Sequence, residues 1–512
     1  MTEAEGVHGD MGRGSDESKI REFFKNSGVF VTGGTGFLGK LIVERLLRTC
    51  PELDRIYFLI REKKGKSIDK RLEETLDNPV FGNLKRENPK FAEKIELVRG
   101  DCVEPDLGLC DEDKKKLLDN VSCVFHCAAT VRFDEKVRTA SYINVRATRD
   151  LLKMARDMPK LKSLIYVSTA FSQCIREDIQ EKFYETSITG EKLLALVEAS
   201  SDEFLEKTAP VLLGKWPNTY AFTKAIAEEV VESAGKNLPV AVVRPSIVAA
   251  THDDPVSGWI DNMYGATGAT VGVALGLVRT MNVNKECIAD IVPADYVISC
   301  TLAAAWSIGT NSNAQTPQSE TPTPIFNCVT SVQKPITWKN WMAYSEKYLK
   351  QVPSPLQVWY YFFFMHSNYY VHLFCVFLLH TIPAYIVDFL ARCVGKEPLL
   401  VKGYQKINKF LDVLAYFTTR TFLFTNDNTQ NLWKKLNATD KKLFVFDVGA
   451  FDWDDYFYKF ARGGRVYLLK DPLDTLPQGR VKFLKLRIAH YTLLTVLFLL
   501  ALKFFMFLYS LF

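Results

Sequence analysis

The chain reads as an α/β protein: a doubly wound parallel sheet, a smaller, mainly helical C-terminal domain, and a C-terminal membrane helix. Three observations predict this. A strand leads through a glycine-rich loop into a helix between Val29 and Leu47. Short β-rich runs then alternate with helical runs as far as Val243, and the stretch from Tyr491 to Phe512 is apolar but for one charge. The 512 residues suffice for two or three domains, and 47% hydrophobic with 24% charged residues excludes a disordered or fibrous chain. A net charge of +5 over this length is no nucleic-acid signature. Eleven cysteines without a CxxC or a Cys/His cluster argue against a zinc site and fit a reducing compartment.

Residues 1–24 are polar and Gly-rich, with neither an apolar core for a signal peptide nor the Arg content of a transit peptide, and read as a disordered tail. Val29-Phe30-Val31 is the first strand. Thr32-Gly33-Gly34-Thr35-Gly36-Phe37-Leu38-Gly39 follows, then an amphipathic helix from Lys40 to Leu47. Glycines at 33, 36 and 39 permit a tight turn, close approach of backbone to a pyrophosphate, and close helix–strand packing. The next strands are Arg55–Ile60, Ile95–Arg99, Val121–His126, Ser163–Val167 and Val240–Val243. Helical runs cover Ile143–Met158 and Tyr220–Ala234. This alternation is that of a Rossmann sheet, which binds ligands at the carboxyl ends of its strands.

The end of the second strand selects the cofactor. Ile60 is followed by Arg61, Lys63, Lys64 and Lys66, cations that suit a 2′-phosphate, so NADPH is expected over NADH. Asp101 after the third strand stands where a carboxylate would accept from an adenine amino group, a place a simple turn aspartate also fits. His126-Cys127-Ala128-Ala129 ends the fourth strand with residues small enough for a cofactor to lie across, His126 and Cys127 reading as packing residues.

Tyr220 and Lys224 stand four apart, on one face of a helix, so that the ammonium lowers the phenol's pKa and makes it a proton donor near neutral pH. Some fifty residues earlier the fifth strand ends in Ser168-Thr169, where one hydroxyl would bond a substrate carbonyl. In a regular strand only one of the two faces the cleft.

With the glycine loop, Ser168/Thr169 and Tyr220/Lys224 in this order, the chain from about 28 to 300 resembles the extended short-chain dehydrogenase/reductases, Pro245 falling in that family's cofactor-contacting segment. TGGTGFLGK, YVSTAF, YAFTKAIAE and VVRPSIV resemble the alcohol-forming fatty acyl-CoA reductases in particular. So do Thr425–Leu432, Phe444–Asp447, Trp453, Tyr456 and Gly464–Lys470 in the C-terminal third. The polar stretch Thr310–Pro324 departs from that pattern as an inserted loop. The resemblance implies an NADPH-binding reductase domain at 25–350 and a helical domain at 351–485. It implies Thr169, Ser168, Tyr220 and Lys224 as catalytic candidates. The cofactor contacts implied are Gly33, Thr35, Gly36, Phe37, Leu38, Gly39, Arg61, Asp101, Ala128, Ala129, Tyr220, Lys224 and Pro245. The implied reaction reduces a long-chain acyl-CoA to a primary alcohol through a thiohemiacetal and an aldehyde, consuming NADPH and releasing CoA. A membrane-bound sterol or hydroxysteroid dehydrogenase is the alternative.

Two C-terminal segments concern a bilayer. Residues 359–390 are apolar but broken by His366, Asn368, His372, His380, Pro383 and Asp388. They read as a membrane-surface element, a re-entrant hairpin or the wall of an acyl cavity rather than a span. Residues 491–512 would form a helix about 33 Å long, enough to cross the hydrocarbon core. Arg480, Lys482, Lys485 and Arg487 precede it and no base follows Lys503, which predicts a C-terminal anchor with the catalytic domain in the cytosol. The resemblance places it on endoplasmic reticulum or peroxisome.

Overall fold

The computed structural model describes residues 17–63, 65–311 and 322–511. Its centre is a seven-stranded, wholly parallel sheet: β1 Gly28–Thr32, β2 Arg55–Ile60, β3 Ile95–Arg99, β4 Val121–His126, β5 Ser163–Val167, β6 Val240–Pro245 and β7 Ile325–Cys328. The order across the sheet is β7-β6-β5-β4-β1-β2-β3. Strand order reverses between β1 and β4, so a crevice opens at the carboxyl ends of those two strands. β1, β4, β5 and β6 are buried along their whole length, as expected of Val-, Ile- and Phe-rich strands covered by helices on both faces. The six strands expected from sequence are all present. β7 was not expected: four residues after a polar loop carry too little pattern, and only pairing with β6 (Ile325 opposite Val242) makes them a strand.

The Phe37–Thr49 and Thr219–Ala234 helices form where expected. The run after Ile143 differs: Val137–Ser141 and Ala147–Arg156 are helical with a π turn at Tyr142–Arg146 between them. The expected tail over 1–24 is shorter at its inner end. Lys19–Phe24 is a helix capped by Ser18, whose Oγ also donates to Asp440 at 2.5 Å, and Ile20 and Phe24 are fully buried in the main hydrophobic core. Residues 1–16, Lys64 and most of the polar insertion (312–321) lie outside the described residues.

The C-terminal third is woven into the sheet domain. Phe364–His366 pairs with Thr280–Asn282 and Leu423–Phe424 with Asp178–Ile179. Tyr456 donates to the Ala250 carbonyl at 3.0 Å and Trp453 to that of Lys334 at 3.1 Å. One hydrophobic core runs from β1 and β4 to Trp341, Phe444, Tyr456 and Phe457.

Two helices stand with apolar side chains outward, and both are long and apolar enough to cross a membrane: Tyr369–Cys393 and the Leu476–Ser510 helix. The first runs on through a π turn at Phe377–Thr381 despite the polar residues that argued against a span. His372 bonds Thr280, His380 accepts from Arg279 N and pairs with Asn408, and Asp388 accepts from the amides of Leu399, Leu400 and Val401. Its polar side chains thus face protein while Tyr370, Phe374 and Phe389 face outward. The Leu476–Ser510 helix continues through the basic segment without a break, and His490 fastens its base by accepting from the Trp359 indole at 3.1 Å.

Candidate active site

The loop after β1 is built around its glycines. Gly33 has φ +73°, and a Cβ there would stand 2.6 Å from the Ala128 nitrogen; a Cβ on Gly39 would run into the Gly33 carbonyl. Gly36 caps the Phe37–Thr49 helix without a side-chain bond, and the first helical hydrogen bond runs from Lys40 N to Gly36 O. The amides of Phe37, Leu38 and Gly39 therefore lack helical partners and form, with the dipole, an anion cradle. Thr35 and Gly36 are accessible at its lip, and Ala128, just past β4, approaches it at Gly33. This cradle fits the pyrophosphate of a dinucleotide.

At the ends of β2 and β3, Arg61 Nη1 and Asp101 Oδ2 form an ion pair at 2.8 Å, so neither expected cofactor contact stands alone. Glu62, the carboxylate that would favour a ribose diol, is engaged by Arg99. Arg71, from the Ile68–Leu76 helix, donates to the Arg61 carbonyl and brings a second guanidinium to the same corner.

The Thr219–Ala234 helix carries Tyr220, Lys224 and Glu228 at intervals of four along one face. Thr169 and Ser168 end β5 on opposite sides. Thr169 lines the same cavity as Tyr220, and its Oγ1 donates to Pro245 O at 3.4 Å. Ser168 does not reach the cleft. Its hydroxyl donates to Glu228 at 2.5 Å, and Glu228 also takes two bonds from the fully buried Arg244 of β6, at 2.9 and 2.7 Å. Strand alternation decides which hydroxyl serves the cavity, and Ser168 is corrected to a positioning residue.

A second correction concerns charge. Lys224 was expected to depress the Tyr220 phenol. Instead its Nζ donates to Val167 O at 2.7 Å and lies 4.6 Å from the centre of the Tyr166 ring. Burial pushes the Tyr220 phenol up to about 12, partly offset by Thr169, while burial lowers Lys224 to about 8. Tyr220 is thus a retained proton donor, and Lys224 is the group that titrates near neutrality. His126 is a packing residue as expected: both ring nitrogens are bonded, to Thr32 and Thr148, and burial drives it to about 3.

Thr169 and Tyr220 open on a cavity of about 220 Å³ whose walls are mainly apolar. Its walls come from both halves of the chain: Phe133 and Phe171 beside the hydroxyls, Val273 and Trp341 beyond, Phe363 and Phe417 from the C-terminal third. An apolar pocket headed by two hydroxyls holds a chain with one polar end.

Residues 31–301 match a family model described as Male sterility protein, and 379–471 match a second model of the same description. Fatty acyl-CoA reductase wat of Drosophila melanogaster is 41% identical over 487 residues, 95% of this chain and 92% of its own. Fatty acyl-CoA reductase 1 of Homo sapiens is 36% identical over 481 residues, 94% and 92% of the two chains. The chain belongs to the fatty acyl-CoA reductase family. Among solved structures, the terminal R domain of the myxalamid PKS-NRPS pathway superposes with TM-score 0.54 at 19% identity, covering 88% of this chain and 93% of that one. The reductase domain of a Mycobacterium tuberculosis non-ribosomal peptide synthetase gives 0.52 at 17%, covering 88% and 96%. These two share the fold.

In this fatty acyl-CoA reductase, sequence reasoning missed Glu228, Arg71 and most of the cavity wall. Glu228 left a faint signal, a third polar residue at the same interval of four. Arg71 left none, since a helix residue ten positions past Arg61 returns to it only through the turn between.

Proposed function

We propose that the protein reduces a long-chain fatty acyl-CoA to the primary alcohol with NADPH, releasing CoA. What carries this reading is that Thr169 and Tyr220 line one mainly apolar cavity walled by both halves of the chain. Bound nicotinamide supplies the hydride. Thr169 and Tyr220 donate hydrogen bonds to the carbonyl oxygen as it gains charge, where water is excluded and each bond counts for more. Tyr220 gives its proton to that oxygen and is reprotonated from solvent; as the thiohemiacetal breaks its C–S bond, the hydroxyl proton passes to sulfur and CoA leaves as the thiol. The aldehyde stays in the cavity for a second hydride, with Tyr220 again the proton donor. Lys224 donates to the nicotinamide ribose, and Arg61 with Arg71 receives the 2′-phosphate that selects NADPH. Gly33, Thr35, Gly36, Phe37, Leu38 and Gly39 hold the pyrophosphate; Asp101, Ala128, Ala129 and Pro245 border the adenine and nicotinamide halves.

The same reading takes 25–350 as the reductase domain, 351–485 as the helical domain and 491–512 as the anchor, with catalysis on the cytosolic face of endoplasmic reticulum or peroxisome. The apolar outer face of Tyr369–Cys393 then rests on the bilayer rather than crossing it. Relatives similar along nearly the whole chain are named acyl-CoA reductases, which leaves the hydroxysteroid alternative without an observation of its own.

The test is product identification by mass with purified protein, acyl-CoA and either nicotinamide cofactor. Alcohol and free thiol should appear in equal amounts, with two NADPH consumed per alcohol. Arg61→Ala should lose most of the preference for NADPH while leaving turnover with NADH. Turnover of a hydroxysteroid but of no acyl-CoA in a parallel assay, or equal losses with both cofactors, would refute the corresponding part.

A further inference from the structure

Two cavities lie on neighbouring faces of the Gly265–Ala274 helix. Ala266, Ala269, Thr270 and Val273, at helical spacing, turn one face to the catalytic cavity. A smaller cavity of about 30 Å³ lies against Val271, Ala274 and Leu275, about a third of a turn around the helix. Thr270 borders both. Trp341 lines the first, donates its indole N–H to Thr270 Oγ1 at 3.2 Å, and meets Phe460, which lines the second, edge-on at 5.5 Å. Phe457 packs on it at 4.6 Å, and the side chain is 1% exposed, so the ring is held from three sides. The chambers differ in character. The first is mainly apolar, whereas Gln357 and Arg465 of the second each keep a buried polar atom without a partner among the described residues.

We infer that Trp341 is the partition that sets how long an acyl chain the catalytic cavity accepts, and that removing it opens the second chamber to the chain's methyl end. The inference rests on the acyl-CoA reading above. The direction follows from two helices. Trp338 shares a small cavity with Phe171, two residues from Thr169, and Trp341 lies a turn further along the same helix. On the facing side Tyr264 is 56% exposed while Val273, inward along the wall, is 1% exposed. With the carbonyl held at Thr169 and Tyr220, the methyl end lies among Thr270, Val273 and Trp341. The ring excludes a longer chain by filling space that nothing else fills.

The experiment uses the full chain in lipid nanodiscs with two readouts: kcat/KM across acyl-CoAs of increasing length, and thermal stabilisation by primary alcohols of the same lengths. In Trp341→Ala the longest chain accepted should grow by at least about two carbons. Relative kcat/KM at that length should rise roughly tenfold, since each buried methylene contributes nearly fourfold. Val273→Phe, which fills the cavity from the opposite wall, should move both profiles toward shorter chains. Should Trp341→Ala fail to fold, Val273→Phe decides alone. Either folded variant keeping the wild-type length limit in both readouts overturns the partition. A wild type that binds alcohols with a sharp length limit yet reduces no acyl-CoA would refute the proposed function and leave the partition standing.

Discussion

The proton chemistry of the cleft divides between two side chains one helical turn apart. Tyr220, raised to about 12, keeps its proton across the physiological range, while Lys224, lowered to about 8 by burial, does not. As pH rises through about 8 the lysine loses its charge and one of its three N–H donors, which weakens the ribose contact proposed for it, and the phenol is unchanged. Reduction at saturating NADPH is therefore expected to fall on an alkaline limb near 8. Lys224→Arg, charged at any accessible pH, should flatten that limb even if its rate is lower. A limb that stayed near 8 in the arginine variant would assign the titration elsewhere. The interval of four from tyrosine to lysine was visible in the sequence. Which of them titrates was not, because burial and the Val167 carbonyl come from other segments.

At the scale of elements, the Thr219–Ala234 helix is fastened to the sheet by one buried carboxylate. Glu228 takes bonds from Ser168 and Ser172 after β5 and from Arg244 of β6, and so fixes the rotation and depth of the helix that presents Tyr220 and Lys224. Arg244 has 0% exposed side chain, so removing its partner strands a charge in the interior. Glu228→Gln should cost about 3–5 kcal/mol of stability in denaturant titration. The double change Glu228→Met with Arg244→Met should recover much of that loss, because desolvation of both charges disappears with them. If the single change left the midpoint where it was, the pair would not be the fastening.

For the whole molecule, the outward apolar surface of the two long helices and the cavity share a structural root. Phe363 lines the cavity, while its neighbour Phe362 stacks on His490, at the base of the Leu476–Ser510 helix, with ring centres 4.9 Å apart. The Tyr369–Cys393 helix follows directly, apolar side outward. Deleting 491–512 should therefore release only part of the protein from membranes on alkaline washing. Further replacement of Phe374 and Phe389 by glutamate should release the rest. Complete release by the deletion alone would show that the Tyr369–Cys393 face contributes no affinity.

Periodicity and local chemistry sufficed for the sheet strands β1 to β6, the glycine cradle, the Tyr220/Lys224 face and the long apolar helix at the C-terminus. Each is encoded within one segment, where alternation, a glycine or an interval of four has a single local meaning. The choice of Thr169 over Ser168, the Arg61–Asp101 pair, strand β7 and the anchoring of Tyr369–Cys393 through its polar residues depend on partners tens to hundreds of residues away. The cavity is the clearest case. Val273, Trp341, Phe363 and Phe417 carry no mark of a common wall in the sequence, since only packing of the C-terminal third against the sheet brings apolar residues from four segments around one space.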